Sequence, residues 1–342
     1  MRFGLGQFTL QIPPWDDRDH ATLYADTLAL AGLAETEGFD SFWLAEHHGA
    51  SDGYNPALLA FLSAVAARTT RLEVGTAVML APFHDPLRVA EDAAVVDNIS
   101  RGRLNLGLGL GWAPEEYRMF GVDPKGRGKR LEEFVGVLRG AWGEGRFTVE
   151  GRFYNYDDVA VTPKPHRPVP IWLGGGADAA LRRAASLADG YFPPSTTGGP
   201  DKLAERAEQM FALRAEHAAG APFRYGMFLP IGLGANADEA WASIRDGVLH
   251  VRGSYMLLGQ NRRDLSVARD EVASFDEQVR ATCVVGTPEE VVEQLKPMVD
   301  KIDGLGFTDT FLSAGLVPPG MAADRARATI ETYARHVIPA LR

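Results

Sequence analysis

Three places in the chain carry residue types that do chemistry. The first is Ala45-Glu46-His47-His48, which sets two imidazoles beside a carboxylate. An imidazole titrates near neutrality, so one of them can serve as acid, base or hydrogen-bond donor. Successive residues at a strand end point to opposite sides, so only one of the two histidines can face a given pocket. That spacing is also poor for chelating a single ion, even with Glu46 or His84 joining, so no metal site is expected. The opposing reading is a partly buried histidine satisfied by its carboxylate neighbour.

The second place is Gly174-Gly175-Gly176, followed by Ala177 and an amphipathic stretch. Glycines there leave backbone N–H groups bare at a helix N-terminus, which is a phosphate-binding arrangement. The competing explanation is a tight turn in which glycine only relieves φ. The third place is Gly107-Leu108-Gly109-Leu110-Gly111. It is not G-x-G-x-x-G and no acidic ribose partner follows, so a dinucleotide fingerprint is rejected. Glycine inside a strand instead marks the close approach of a flat ligand or a neighbouring backbone. Arg127 and Arg130, the densest basic cluster, form either a solvated loop or a phosphate clamp; the clamp requires the 174–176 turn to bind phosphate as well. Phe8, Met79, Trp112 and Phe192 end strands and either line a pocket for a planar cofactor or cap the core.

The elements that must position these residues alternate. Strand-like runs at 2–8, 39–45, 72–80, 104–110, 169–173, 190–192, 224–233 and 308–312 are mostly followed by helical ones, at 20–38, 56–68, 86–99, 178–188, 200–219, 237–251, 287–301 and 321–337. Alternation of this kind implies parallel strands with right-handed crossovers. Eight such units predict an α/β fold, a (β/α)8 TIM barrel with insertions, in preference to a doubly wound sheet. One domain over 1–342 is expected, with a hairpin insertion at about 146–161 and a variable segment at about 252–281 where no period is legible. In a TIM barrel the site lies at the C-terminal ends of the strands, where all three places fall.

Composition sets outer bounds. The 342 residues hold 45 acidic against 35 basic side chains, a net charge of −10, with 46% hydrophobic residues. No Lys/Arg run supports nucleic-acid binding. No signal-like N-terminus or run of ~20 apolar residues supports secretion or a membrane span. The single cysteine, Cys283, points to a reducing compartment, so a cytoplasmic location is expected. The 37 glycines are either scattered punctuation or gathered where a ligand comes close.

Several motifs together resemble the bacterial luciferase-like, flavin-dependent monooxygenase family. They are Gly38-Phe39-Asp40-Ser41-Phe42-Trp43-Leu44-Ala45-Glu46-His47-His48, Pro86-Leu87-Arg88-Val89-Ala90-Glu91-Asp92, and Asp97-Asn98-Ile99-Ser100-Arg101-Gly102-Arg103. Gly109-Leu110-Gly111-Trp112, Pro170-Ile171-Trp172-Leu173-Gly174-Gly175, Arg182-Arg183-Ala184-Ala185 and Val285-Gly286-Thr287-Pro288-Glu289-Glu290 complete the set. The resemblance implies a barrel that binds reduced FMN at its mouth and uses O2 to oxygenate a small organic substrate through a flavin 4a-hydroperoxide. It implies that His47 assists that intermediate, that Ala77-Val78 is a non-proline cis peptide beneath the flavin ring, and that Gly109 and Trp112 lie near the isoalloxazine. Gly174, Gly175, Gly176 and Ala177 match the phosphate turn, where glycine and alanine replace the acidic and hydroxyl residues of luciferase. Leu110 stands where the family has an arginine, which leaves the clamp to Arg127 or Arg130. A separate flavin reductase and a homodimer are implied as partners. Deazaflavin-dependent hydride transfer and a non-catalytic flavin-binding subunit are the alternatives; the Glu-His-His strand end favours FMN over deazaflavin.

Overall fold

The computed structural model describes residues 1–260 and 274–342. Eight staves close a parallel barrel: β1 (Arg2–Phe8), β2 (Ser41–Leu44), β3 (Glu73–Thr76) with its continuation β4 (Met79–Leu80), β5 (Leu104–Gly109), β8 (Ile171–Gly174), β9 (Gly190–Phe192), β10 (Arg224–Leu233) and β12 (Asp309–Gly315). The ring shuts because β9 pairs with β10, and β12 pairs with both β10 and β1. β6 (Phe147–Glu150) and β7 (Asn155–Val159) form a separate antiparallel hairpin, at the expected insertion. This is the expected (β/α)8 TIM barrel.

Helices α1 (His20–Thr36), α2 (Leu58–Arg68), α3 (Pro86–Ser100), α6 (Asp178–Leu187), α7 (Pro200–Ala218), α8 (Ala237–Gln260), α10 (Pro288–Asp303) and α11 (Ala323–His336) follow the strands. α4 (Pro114–Met119) and α5 (Arg127–Trp142) lie between β5 and the hairpin, while α9 (Asp276–Arg280) and β11 (Val284–Gly286) precede α10. α12 (Ile338–Leu341) closes the chain. Their ends carry the signals that the sequence advertises. Asp85 caps α3 with Pro86 at its first turn, and Thr287 and Glu290 form a reciprocal capping box on α10.

Apolar strand and helix faces merge into one large core between sheet and helices. Inside the ring, Trp43, Trp172, Phe192 and Phe311 pack as a plug with centroids 5.3–6.3 Å apart. The barrel is therefore filled below, as a small barrel must be, and open only at the C-terminal mouth.

Two boundaries bear on the site. α5 starts at Arg127, which fixes Arg127 at a helix start. α8 runs to Gln260 instead of stopping at 251, so Arg252 and Tyr255 are helical. The period is hard to read there because one face of α8 borders the mouth, where polar and aromatic residues replace a uniform apolar stripe. Of the variable segment at 252–281, residues 261–273 lie outside those described.

Candidate functional site

A cavity of about 640 Å³ occupies the mouth. The ends of β1, β2, β4, β5, β8 and β9 contribute to its wall, and Tyr255 and Met256 of α8 overhang it. Phe192 and Ala77 belong both to the cavity and to the aromatic plug, so the plug is the floor.

His47 faces this space and His48 does not. The His47 ring is buried between Tyr54 and Tyr255, each edge-on at 4.9 and 5.1 Å. Its Nδ1 lies 2.8 Å from Oε1 of Glu116, and the same oxygen accepts the His48 backbone N–H at 2.9 Å. A carboxylate at that distance takes the ring proton on Nδ1, leaving Nε2 as the free nitrogen; among the described residues it has no partner. Glu116 is fully buried in the first turn of α4, where the N-terminal end of the helix favours its negative charge. Tyr54, buried against the His47 ring, has its phenol pushed far up, first by burial and then by Tyr255. It stays neutral.

The other histidine serves a second carboxylate. Glu46 Oε1 accepts from His48 Nε2 at 2.6 Å and from His84 Nε2 at 2.8 Å. Burial raises the Glu46 pKa, but these two hydrogen bonds outweigh it and hold the carboxyl below its ordinary value. Among the described residues, this is the one group whose ligand atoms, all within 4.8 Å of one another, could hold a metal ion. Two ligands on one zinc-sized ion with ~2.1 Å bonds would stand roughly 3.4 Å apart. The shorter observed spacings are those of hydrogen bonds, which account for the cluster.

Opposite His47 lies the glycine turn. Gly175 adopts φ +135°, and its carbonyl accepts the Tyr191 hydroxyl at 2.8 Å. The N–H groups of Gly176 and Ala177 have no partner among the described residues, and α6 begins there without a side-chain cap. Arg127 reaches the same cavity and has no carboxylate partner among the described residues. Arg130 turns away, over the rings of Phe153 and Tyr154. Arg206 of α7, which sequence reasoning passed over, donates to the Gly176 carbonyl at 3.3 Å.

The Ala77–Val78 peptide is cis. Val78 accounts for much of the glycine pattern opposite it. A Cβ on Gly109 would lie 2.5 Å from Val78 Cγ2, and one on Gly107 2.1 Å from the Thr76 carbonyl oxygen. These glycines admit the neighbouring chain at Thr76 and Val78. Gly109 and Gly174 still line the cavity, as does Trp112, which stacks on Tyr255 at 5.7 Å.

The luciferase-like monooxygenase family model matches residues 5–302. The chain belongs to that family. It is 26% identical over 314 residues to the limonene 1,2-monooxygenase of Rhodococcus erythropolis, covering 89% of this chain and 80% of that one. It is 34% identical over 171 residues to the F420-dependent glucose-6-phosphate dehydrogenase of Kineococcus radiotolerans, covering 48% and 51%. The monooxygenase RslO1 from Streptomyces bottropensis superposes with a TM-score of 0.78 at 26% identity over 99% of both chains. Luciferase-like enzymes are oxidoreductases that bind flavin or the deazaflavin F420.

His47, Ala77, Val78, Gly109, Trp112, Arg127, Gly174, Gly175, Gly176 and Ala177 border this one cavity, whereas Arg130, Phe8 and Met79, also weighed in the sequence, do not line it. Sequence reasoning missed Glu116, Tyr255 and Arg206. Glu116 had a signal, an acidic first turn just after the strand end carrying Trp112. Tyr255 and Arg206 had none, because they reach the mouth from helices.

Proposed function

We propose that this enzyme is a monooxygenase that uses reduced FMN and O2 to oxygenate a small organic substrate, with a separate reductase supplying the reduced flavin. The observation that carries the reading is His47, held at Nδ1 by buried Glu116 with Nε2 free at the wall of the large cavity. The cavity suits a planar ring with a phosphate tail. Its floor and one wall are apolar, and its far end offers the free N–H groups of Gly176 and Ala177 together with Arg127. Reduced flavin, when bound, supplies the electrons that activate O2.

The chain's own residues set the rest. Ala77 and Val78 back the ring, and Trp112 and Tyr255 cover the cavity from the α8 side. His47 Nε2 would take or give a proton within the cavity, and Glu116 would fix the tautomer and stabilise the imidazolium when it forms. Tyr255 and neutral Tyr54, packed edge-on against it, keep water from the sides of that imidazole. Relatives named as monooxygenases match nearly the whole chain, and an F420-dependent relative matches 80% of it, so coverage favours neither cofactor. A homodimer through α2 and α3 fits the exposed Val95 and Ile99, one helical turn apart on α3.

Titration of the purified chain with FMN and with F420, followed by absorbance and fluorescence, tests the reading. Saturable FMN binding with weaker F420 binding is expected. Tight F420 binding without FMN binding overturns it in favour of F420-dependent hydride transfer, the reading that the 34% relative favours.

A further inference from the structure

A narrower arm of about 60 Å³ leaves the mouth on the side away from the glycine turn. Gln7, Ser195 and Tyr255 line both spaces, so the arm opens beside His47's neighbour Tyr255. Its walls are mostly apolar: Phe228 and Pro230 from β10, Val248 and Val251 from α8, and Val317 and Pro318 beyond β12. Among the described residues, Arg252 is the one cation lining it.

Some half-buried arginines are neutralised by carboxylates, and Arg103 instead spends its donors on four backbone carbonyls and the Thr69 hydroxyl. Arg18 bridges Asp16 and Asp26, Arg224 meets Glu73 and Asp309, and Arg245 meets Asp276. Arg252 has no carboxylate partner among the described residues. It donates to the Ser195 carbonyl at 3.1 Å and reaches the Thr282 hydroxyl only at 3.5 Å. The titratable groups facing it are Tyr255 and Cys283. Burial pushes the Cys283 thiol up to about 11, so it brings no negative charge at neutral pH. A guanidinium carries five N–H donors, and among the described residues most of those of Arg252 have no acceptor. A cation withdrawn from water without a counter-charge costs several kcal/mol, which an anion in the arm would recover. Thr9, in the same wall, has a buried hydroxyl oxygen with no partner among the described residues.

We propose that this arm is the substrate subsite and that it selects an apolar molecule ending in a carboxylate, which Arg252 binds while the apolar body extends toward His47. One guanidinium, with no second cation in the wall among the described residues, matches the single charge of a carboxylate rather than the two of a phosphate monoester. The assignment of the arm to substrate rests on the flavin reading of the larger cavity, but the binding preference does not.

Calorimetric titration of the flavin-free chain with octanoate and with octanol at neutral pH separates the two ideas. Octanoate is expected to bind about tenfold tighter or more, the worth of a charge-assisted hydrogen bond. Arg252→Met is expected to erase that preference while leaving octanol binding and FMN titration unchanged. Equal binding of octanoate and octanol to the wild-type chain overturns the proposal, whether or not the variant folds. So does an octanoate preference that survives Arg252→Met. If FMN fails to bind while the octanoate preference holds, the flavin reading falls and the anion subsite stands. If FMN binds and the preference is absent, the reverse is true.

Discussion

The mouth of the barrel has two unlike halves. From β2 round to β9 the wall is made largely of backbone and small side chains at strand ends: Ala77, Val78, Gly109, Gly174, Gly175, Gly176 and Ala177. Across from it, β1, β10, the end of β12 and α8 present full side chains, among them Tyr255, Arg252, Phe228 and Val248. Backbone recognises what every member of a class shares, such as a flat ring and a phosphate. Side chains on a helix tell one substrate from another. The first half is rigid, because its shape is set by strand pairing; the second can be changed by substituting α8 without disturbing a ladder.

The largest effect expected from this division is at the junction of the halves. His47→Ala should lower turnover by about 10²–10⁴-fold, the usual worth of a positioned acid or base. FMN affinity should change by less than about threefold, since the phosphate turn and ring wall are untouched. Steady-state rates together with flavin titration check both. A variant that loses flavin binding as severely as turnover would place His47 in the cofactor half and break the comparison.

The cofactor half should answer next, and more narrowly. Arg127→Ala should weaken FMN by roughly 10–100-fold, as removal of a charge-assisted phosphate contact does, and leave riboflavin affinity unchanged. Fluorescence titration with the two ligands reads the difference directly. An equal loss for both would mean that Arg127 acts through the ring or the fold. No loss for either would pass the phosphate to Arg206, which lies against the Gly176 carbonyl.

The same division explains what could be read from the sequence. Strand rhythm, Pro86 and Pro288 at helix starts and the glycine runs are local signals, so the barrel, the hairpin and the strand-end wall of the mouth were legible residue by residue. Glu46-His47-His48 was legible as chemistry, and strand alternation told that one imidazole would face inward. Which carboxylate serves which ring was not, because Glu116 is 69 residues from His47 and reaches it only through the fold. The sequence also could not say what the β5 glycines accommodate. A ligand and a neighbouring strand demand the same missing Cβ. The α8 side was least legible because that helix meets the mouth with a mixed face, which breaks the period that marks a helix.

The smallest effect, and the sharpest test of the β5 glycines, is Gly109→Ala. A Cβ there would stand 2.5 Å from Val78 Cγ2, which is too close for any real contact, so strand or side chain must shift. Overpacking of this kind should cost about 1–3 kcal/mol in denaturant unfolding. If Val78 alone demands the glycine, Val78→Ala removes the obstructing methyl, and the double variant should be more stable than the sum of the two single changes. FMN affinity should then recover with stability, because the cavity wall returns to its place. If the ring itself needs the bare backbone, the double variant will regain stability and still bind FMN poorly. The β5 glycines would then belong to the cofactor half as contacts, and the line between packing and recognition would move from the 174–176 turn back to the strand.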